Sequence, residues 1–151
     1  MDGAVDALQV ATRVLVAVAS RSVETLSGPV SLPQFRLLLV LNELGCGPSS
    51  RVAAALGTGA SSVTRLADRL VASGHLLRGS DPRNRSVVTL ELTAAGRALV
   101  DRVMRWRHDE LRRILSRLES DERAAVTRSL RRFAEAAGPE YSVPTSGPVA
   151  V

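Results

Sequence analysis

Two short stretches carry side chains whose chemistry is legible before any fold is known. In 59–74, GASSVTRLADRLVASG, Ser61, Ser62 and Thr64 offer hydroxyls, and Arg65 and Arg69 offer guanidinium forks. In 80–86, SDPRNRS, Arg83 and Arg85 flank Asn84. Hydroxyls and arginines at this density suit phosphate oxygens, and an arginine fork also pairs with the edge of a guanine. Chemistry of another kind finds no support: there is no recognisable paired-carboxylate cleft, phosphate-cradling glycine loop or Ser/His/Asp arrangement, so an enzyme is not expected. His75, His108 and Cys46 are too few for a recognisable metal site, and neither metal nor cofactor is expected.

The composition agrees with an anionic partner. All 20 basic residues are arginine, the net charge is +5 and the isoelectric point is near 11.1. A genome rich in G and C would favour arginine as well, so the bias by itself decides nothing. A length of 151 residues makes one domain the default, and 45% apolar residues suffice for its core. Cys46 has no internal disulfide partner and the start does not resemble a signal peptide, which makes the cytoplasm the expected compartment. The apolar run VLVAVA (14–19) is much shorter than the roughly 20 residues of a membrane span and reads as part of a buried helix.

The elements that must hold these side chains follow from periodicity. From Asp6 to about Thr25, Leu8, Ala11, Leu15, Val18 and Ser22 recur at helical spacing. LSGPVS (26–31) stops that helix, and Ser31 with Gln34 has the spacing of a capping box that starts LPQFRLLLVLNEL, ending at Gly45. A short helix SSRVAAAL (49–56) closes at Gly57. In the next helix Val63, Leu66, Ala67, Leu70 and Val71 form one face, while Ser62, Arg65 and Arg69 share the other. A short helix, a turn and a second helix rich in Ser and Thr at its start is the layout of a helix-turn-helix, whose second helix enters the DNA major groove. Taken alone, the segment is equally explained by Ser61 capping a helix and arginines solvating its face.

What comes next separates those readings. HLLR (75–78) predicts a short strand, and SVVTLEL (86–92) alternates Val88, Leu90 and Leu92 against Val87, Thr89 and Glu91. Two strands directly after a helix-turn-helix make a winged helix. Arg83 and Arg85 then sit at the wing tip, placed to reach phosphates or the narrow minor groove. The predicted fold is mainly α with a small β-hairpin wing.

These motifs resemble the MarR (multiple antibiotic resistance regulator) family of winged helix-turn-helix transcription factors. The resemblance is carried by LPQFRLLLVL, RVAAALGTGASSVTRLADRLVASGHLLR and DPRNRSVVTLELTAAGRALV, with the Leu-Thr-x-x-Gly signature at Leu92, Thr93 and Gly96. It implies a dimeric repressor of a pseudo-palindromic operator in double-stranded DNA, released by a small molecule or an oxidant. It also implies DNA contact by Arg85, by Arg83 and by the residues of the second helix, with Arg78 bracing the wing or touching a phosphate. The family commonly carries Asp-x-Arg at the wing tip; here those positions are Asn84 and Ser86, so that ion pair is absent.

The flanking segments point independently to a second copy of the chain. Thr93 caps a long helix expected to reach Leu118, with Leu99, Val103, Trp106, Leu111, Ile114, Leu115 and Leu118 as its stripe. Ser120, Asp121 and Glu122 open another, faced by Val126, Leu130, Phe133 and Ala137. Long helices beyond what a winged-helix core needs suit a two-fold dimer. The expected organisation is therefore an N-terminal dimerisation helix (1–30), a winged helix-turn-helix lobe (31–97), C-terminal dimerisation helices (98–137) and a disordered tail (138–151). Trp106 and Phe35 suit either a pocket for an aromatic effector or the core. Cys46, beside no obvious base or cation, is more simply inert than an oxidant sensor. The rival reading of the whole is a winged-helix module for non-specific nucleic-acid or protein binding.

Overall fold

A computed structural model describes residues 1–26 and 28–138. In chain order it contains α1 (Asp2–Leu26), α2 (Leu32–Leu44), β1 (Gly47–Pro48), α3 (Ser49–Leu56), α4 (Ala60–Ala72), β2 (Leu76–Ser80), β3 (Val88–Leu92), α5 (Ala94–Leu115) and α6 (Ser120–Ala137). The three strands form one antiparallel sheet in the order β1-β3-β2. Leu76 pairs with Leu92, Arg78 with Leu90 and Ser80 with Val88.

Local sequence explains most boundaries. The Gln34 side-chain oxygen accepts from the Ser31 backbone N–H at 2.7 Å, the expected capping box at the start of α2. Gly57 ends α3 with φ 62° and ψ 35°, a left-handed conformation that suits glycine because it lacks a Cβ. The Thr93 hydroxyl accepts from the Gly96 N–H at 3.0 Å, capping α5.

Phe35, Leu37, Leu38 and Leu41 of α2 are essentially inaccessible and form the centre of the core. Around them lie Val52 of α3, Val63, Ala67 and Leu70 of α4, Leu76, Leu90 and Leu92 of the sheet, and Leu99, Val100 and Val103 of α5. Burying each of these valine, leucine and phenylalanine side chains fully contributes about 1.5–3 kcal/mol. Phe35 is thus a core residue, whereas Trp106 is half-buried.

Several expectations are corrected. Helix α1 begins at Asp2 rather than Asp6, and VLVAVA is not buried within one chain: Val14, Leu15 and Val16 are 45%, 51% and 57% exposed. Only its C-terminal part, at Val18, Ser22 and Val23, is covered. By length and apolar composition the segment Asp2–Thr25 would suffice to cross a membrane, yet its buried residues pack on α5 of the same chain. The helix α5 stops at Leu115, short of Leu118. The cap of α6 is Glu119, whose backbone N–H donates to Glu122 at 2.8 Å, rather than Ser120. On β3, Leu90 and Leu92 are buried as expected, but Val88 is 40% exposed because it lies out on the wing beyond the core. Strand β1, two residues long and containing Pro48, has no alternation by which to be recognised. The expected tail lies outside the described residues apart from Gly138.

One contact joins the start of α5 to the turn after α4. Thr93 donates its N–H to the His75 carbonyl at 3.1 Å and its hydroxyl to the Gly74 carbonyl at 2.7 Å. At Gly96 a Cβ would overlap the same His75 carbonyl oxygen. Overpacking costs about 1–3 kcal/mol, so Gly96→Ala is expected to lower the unfolding free energy by that amount, seen as a lower urea midpoint. Thr93→Ala, losing the cap, should cost about 1 kcal/mol. A Gly96→Ala midpoint equal to wild type would refute the close approach.

Candidate nucleic-acid interface

Helix α4 turns Val63, Ala67 and Leu70 inward, which leaves Ser61, Thr64, Arg65 and Arg69 exposed on its outer surface; Ser62 is half-buried at the margin. Its N-cap is Gly59, so Ser61 lies inside the first turn and is not the cap. The Thr64 hydroxyl donates back to the Ala60 carbonyl at 3.0 Å, keeping its lone pairs available as acceptors. Among the described residues, the side chains of Arg65 and Arg69 make no hydrogen bond or ion pair, and both residues are exposed.

Arg78 is different, because a carboxylate already holds it. Its guanidinium lies 2.7 Å from Asp68 on α4, tying β2 to that helix. The two side chains are 38% and 54% exposed, so the pair contributes at most about 1 kcal/mol and acts chiefly to set geometry. Arg78 and Thr64 also line one narrow groove of about 110 Å³ together with Ser49, Val63, Ala67, Val88 and Leu90. Sequence reasoning missed Asp68. Its signal was an acidic residue on an otherwise basic helix face, three residues after Arg65.

The wing tip places Arg83, Asn84 and Arg85 in the turn beyond the Ser80–Val88 pair, all exposed. Two side chains shape this turn. The Asp81 carboxylate accepts from the Arg83 N–H at 2.7 Å, and the Asn84 side-chain oxygen accepts from the Ser86 N–H at 3.1 Å and from the Ser86 hydroxyl at 2.6 Å. The Asp81 N–H donates to the Val87 carbonyl at 3.0 Å, and the Val87 N–H to the Asn84 carbonyl at 2.9 Å. Asn84 and Ser86 therefore form a neutral hydrogen-bonded bracket, and the guanidinium groups of Arg83 and Arg85 are paired with no acid among the described residues. The oxygen of Asn84 is committed within the turn, so only its NH₂ group faces outward chemistry.

The three clusters sum to five arginines against two carboxylates, Asp68 and Asp81. That surface attracts polyanions. Among the described residues no three His, Cys, Asp or Glu side chains are grouped to hold a metal ion. Cys46 is exposed in the turn before β1.

The bracket is open to direct measurement. A net hydrogen bond contributes about 0.5–1.5 kcal/mol, so Asn84→Ala should speed amide exchange at Ser86 by roughly 3- to 10-fold, followed by NMR. Ser86→Ala retains the amide donor and should produce a smaller change. Equal exchange in wild type and Asn84→Ala would remove the bracket from the account.

Comparison with known proteins joins these features to a lineage. The sequence profile of the MarR family matches residues 30–88. The chain is 32% identical over 101 residues to the uncharacterised HTH-type transcriptional regulator YfiV of Bacillus subtilis, a match spanning 67% of this chain and 63% of that protein. It superposes on the crystal structure of RV1404 from Mycobacterium tuberculosis with a TM-score of 0.86 and 34% identity, covering 91% of this chain and 94% of that one. It shares its fold with a mutant MarR of Escherichia coli solved with operator DNA, at a TM-score of 0.60 and 23% identity over 88% of this chain and 97% of that one. With its helix-turn-helix, three-stranded wing and Leu-Thr-x-x-Gly junction, the chain belongs to the MarR family of winged-helix transcriptional regulators.

Proposed function

We propose that this protein is a cytoplasmic, dimeric repressor that binds a pseudo-palindromic operator in double-stranded DNA and is released by a small-molecule or oxidant effector. The observation that carries the DNA reading is the free arginine pair on α4: Arg65 and Arg69 are exposed and unpaired among the described residues, while Asp68 on the same helix is spent on Arg78. In this reading α4 enters the major groove, Ser61, Ser62 and Thr64 meet phosphates or base edges, and Arg65 reads a base. Arg83 and Arg85 reach the neighbouring minor groove or its phosphates, with the Asn84 NH₂ beside them. Arg78 braces the wing. That an E. coli relative of the same fold was solved on operator DNA supports this use of the fold.

Dimerisation rests on apolar surface that one chain leaves uncovered. No residue of α6 is buried, and Leu130 and Phe133 are 48% and 54% exposed, as are Val10, Val14, Leu15 and Val16 of α1 to a similar degree. Large apolar side chains grouped along helices mark an interaction surface. A cleft between the end of α5 and the start of α6 is lined by His108, Leu111, Arg112, Leu115, Ser116 and Arg123. In a two-fold dimer built on these helices, an effector acts by changing the separation or angle of the two α4 helices.

Fluorescence anisotropy with the protein's own upstream DNA and with a scrambled duplex tests the reading. Binding should be selective and should weaken on the order of 10³-fold between about 50 and about 200 mM salt. Arg65→Ala should cost about 1–3 kcal/mol and relax sequence choice, whereas Arg85→Ala should weaken all duplexes alike and lower the salt slope by about one. Equal affinity for every duplex would instead select the non-specific module. For the dimer, light scattering should show two chains in wild type and one in a Leu130→Asp, Phe133→Asp double variant; a wild-type monomer would refute it.

A further inference from the structure

Arg107 lies where three helices meet and no role so far described uses it. It projects from α5, half-buried. Its Nε donates to the Ser22 hydroxyl of α1 at 2.6 Å, and a terminal nitrogen donates to the Ala19 carbonyl at 3.3 Å. The Ser22 hydroxyl, wholly buried, in turn donates to the same carbonyl at 2.6 Å. The guanidinium carbon sits 5.1 Å from the ring centroid of Phe35 on α2, and another nitrogen is 4.0 Å from the Met104 sulfur.

Each of these partners is neutral, and among the described residues Arg107 has no ion pair. Burial without a counter-ion pushes the guanidinium pKa down. Removing a cation from water is costly, and a hydrocarbon of similar size would pack here at smaller cost. What a hydrocarbon lacks is direction. Apolar contact is non-directional, whereas the arginine fork bonds only along fixed vectors and stacks only over a ring face. Here those vectors join α1 and α5 to Phe35, a core residue on α2.

We infer that Arg107 is a positioning residue that fixes the angle between the winged-helix lobe and the flanking helices, and so selects the spacing of the two operator half-sites. The inference rests on the dimeric operator-binding reading. Half-sites one turn apart lie roughly 34 Å from centre to centre, and each added base pair moves one by about 3.4 Å. A joint held only by apolar packing would tolerate that displacement; a joint held by a fork would not.

The test uses the full-length protein. A spin label at Ala72→Cys, exposed at the end of α4, in a Cys46→Ser background reports the distance between the two α4 helices without any DNA. Wild type should give a narrow distribution and Arg107→Met a broad or shifted one. Arg107→Lys keeps the charge but loses the fork and should fail to restore the narrow distribution. A palindromic duplex selected from a random pool by the wild-type protein then serves as the probe, with its spacer changed by one or two base pairs. Wild type should prefer one spacing by about tenfold or more, falling to about twofold in Arg107→Met, with affinity for an isolated half-site unchanged. If Arg107→Met does not fold, Ser22→Ala removes the hydroxyl that Arg107 bonds while leaving the guanidinium in place, and should shift both readouts in the same direction. Coupling and spacing preference that these variants leave intact, or that Arg107→Lys fully restores, would overturn the inference alone. Absence of coupling between labels in wild type would overturn the dimer reading and the inference with it.

Discussion

The junction at Gly96 is the constraint on which the remaining geometry depends. There the first turn of α5 approaches the turn between α4 and β2 closely enough that the His75 carbonyl occupies the space of an absent side chain. Thr93 satisfies three groups at once, bonding the His75 and Gly74 carbonyls and the Gly96 N–H, and Arg97 adds a bond to the Leu92 carbonyl at 2.7 Å. One turn of backbone thereby holds together the end of α4, the base of the wing and the long helix that leaves the lobe. The Thr93 N–H bond to the His75 carbonyl and the close approach at Gly96 are backbone contacts with little slack, and they tie the end of α4 to the start of α5.

From this junction outward the ties that set shape are distinct from the exposed arginines. Ties that set shape are short and mostly neutral: Asn84 to Ser86 in the wing, Thr93 at its base, Ser22 to Arg107 at the helix joint. The one charged tie near the candidate interface, Asp68 to Arg78, consumes a carboxylate that would otherwise repel phosphate. Arg65, Arg69, Arg83 and Arg85 are left exposed, with guanidinium groups that no acid among the described residues neutralises. Such a division is physically economical, since neutral hydrogen bonds resist the salt changes that govern phosphate contact. The wing is an instance: it keeps a defined turn through the Asn84 amide oxygen and the Ser86 hydroxyl, with no ion pair between those two positions.

Much of this was legible in one dimension. The capping pair Ser31 and Gln34, the glycine stop at Gly57, the inward stripe Val63, Ala67, Leu70 and the Thr93 cap all depend on residues within a few positions of one another. So did the grouping of Ser61, Ser62, Thr64, Arg65 and Arg69 on one helix and of Arg83, Asn84 and Arg85 in one turn. Apart from helix ends such as the Glu119 cap, structure and expectation part where burial or pairing depends on a distant surface. VLVAVA reads as buried because it is apolar, but burial needs an opposing surface, and within one chain α5 covers only the last part of α1. Strand β1 exists because Gly47 and Pro48 meet Leu90 and Thr89, residues more than forty positions away.

The sequence by itself determined the periodic elements, their caps and the surplus of arginine, because helical spacing, capping and charge are properties of neighbours. Only the tertiary structure decided which arginines are free. Arg65 and Arg78 look alike in sequence, yet one stands in solvent while the other is bound by Asp68, ten residues earlier and on another element. Arg107 is one of several arginines in the run from Arg105 to Arg113, and it alone lies over Phe35 and bonds Ser22, 85 positions away. The reason is that a guanidinium's role is set by what it faces, and facing is created by packing between elements that the chain order keeps apart.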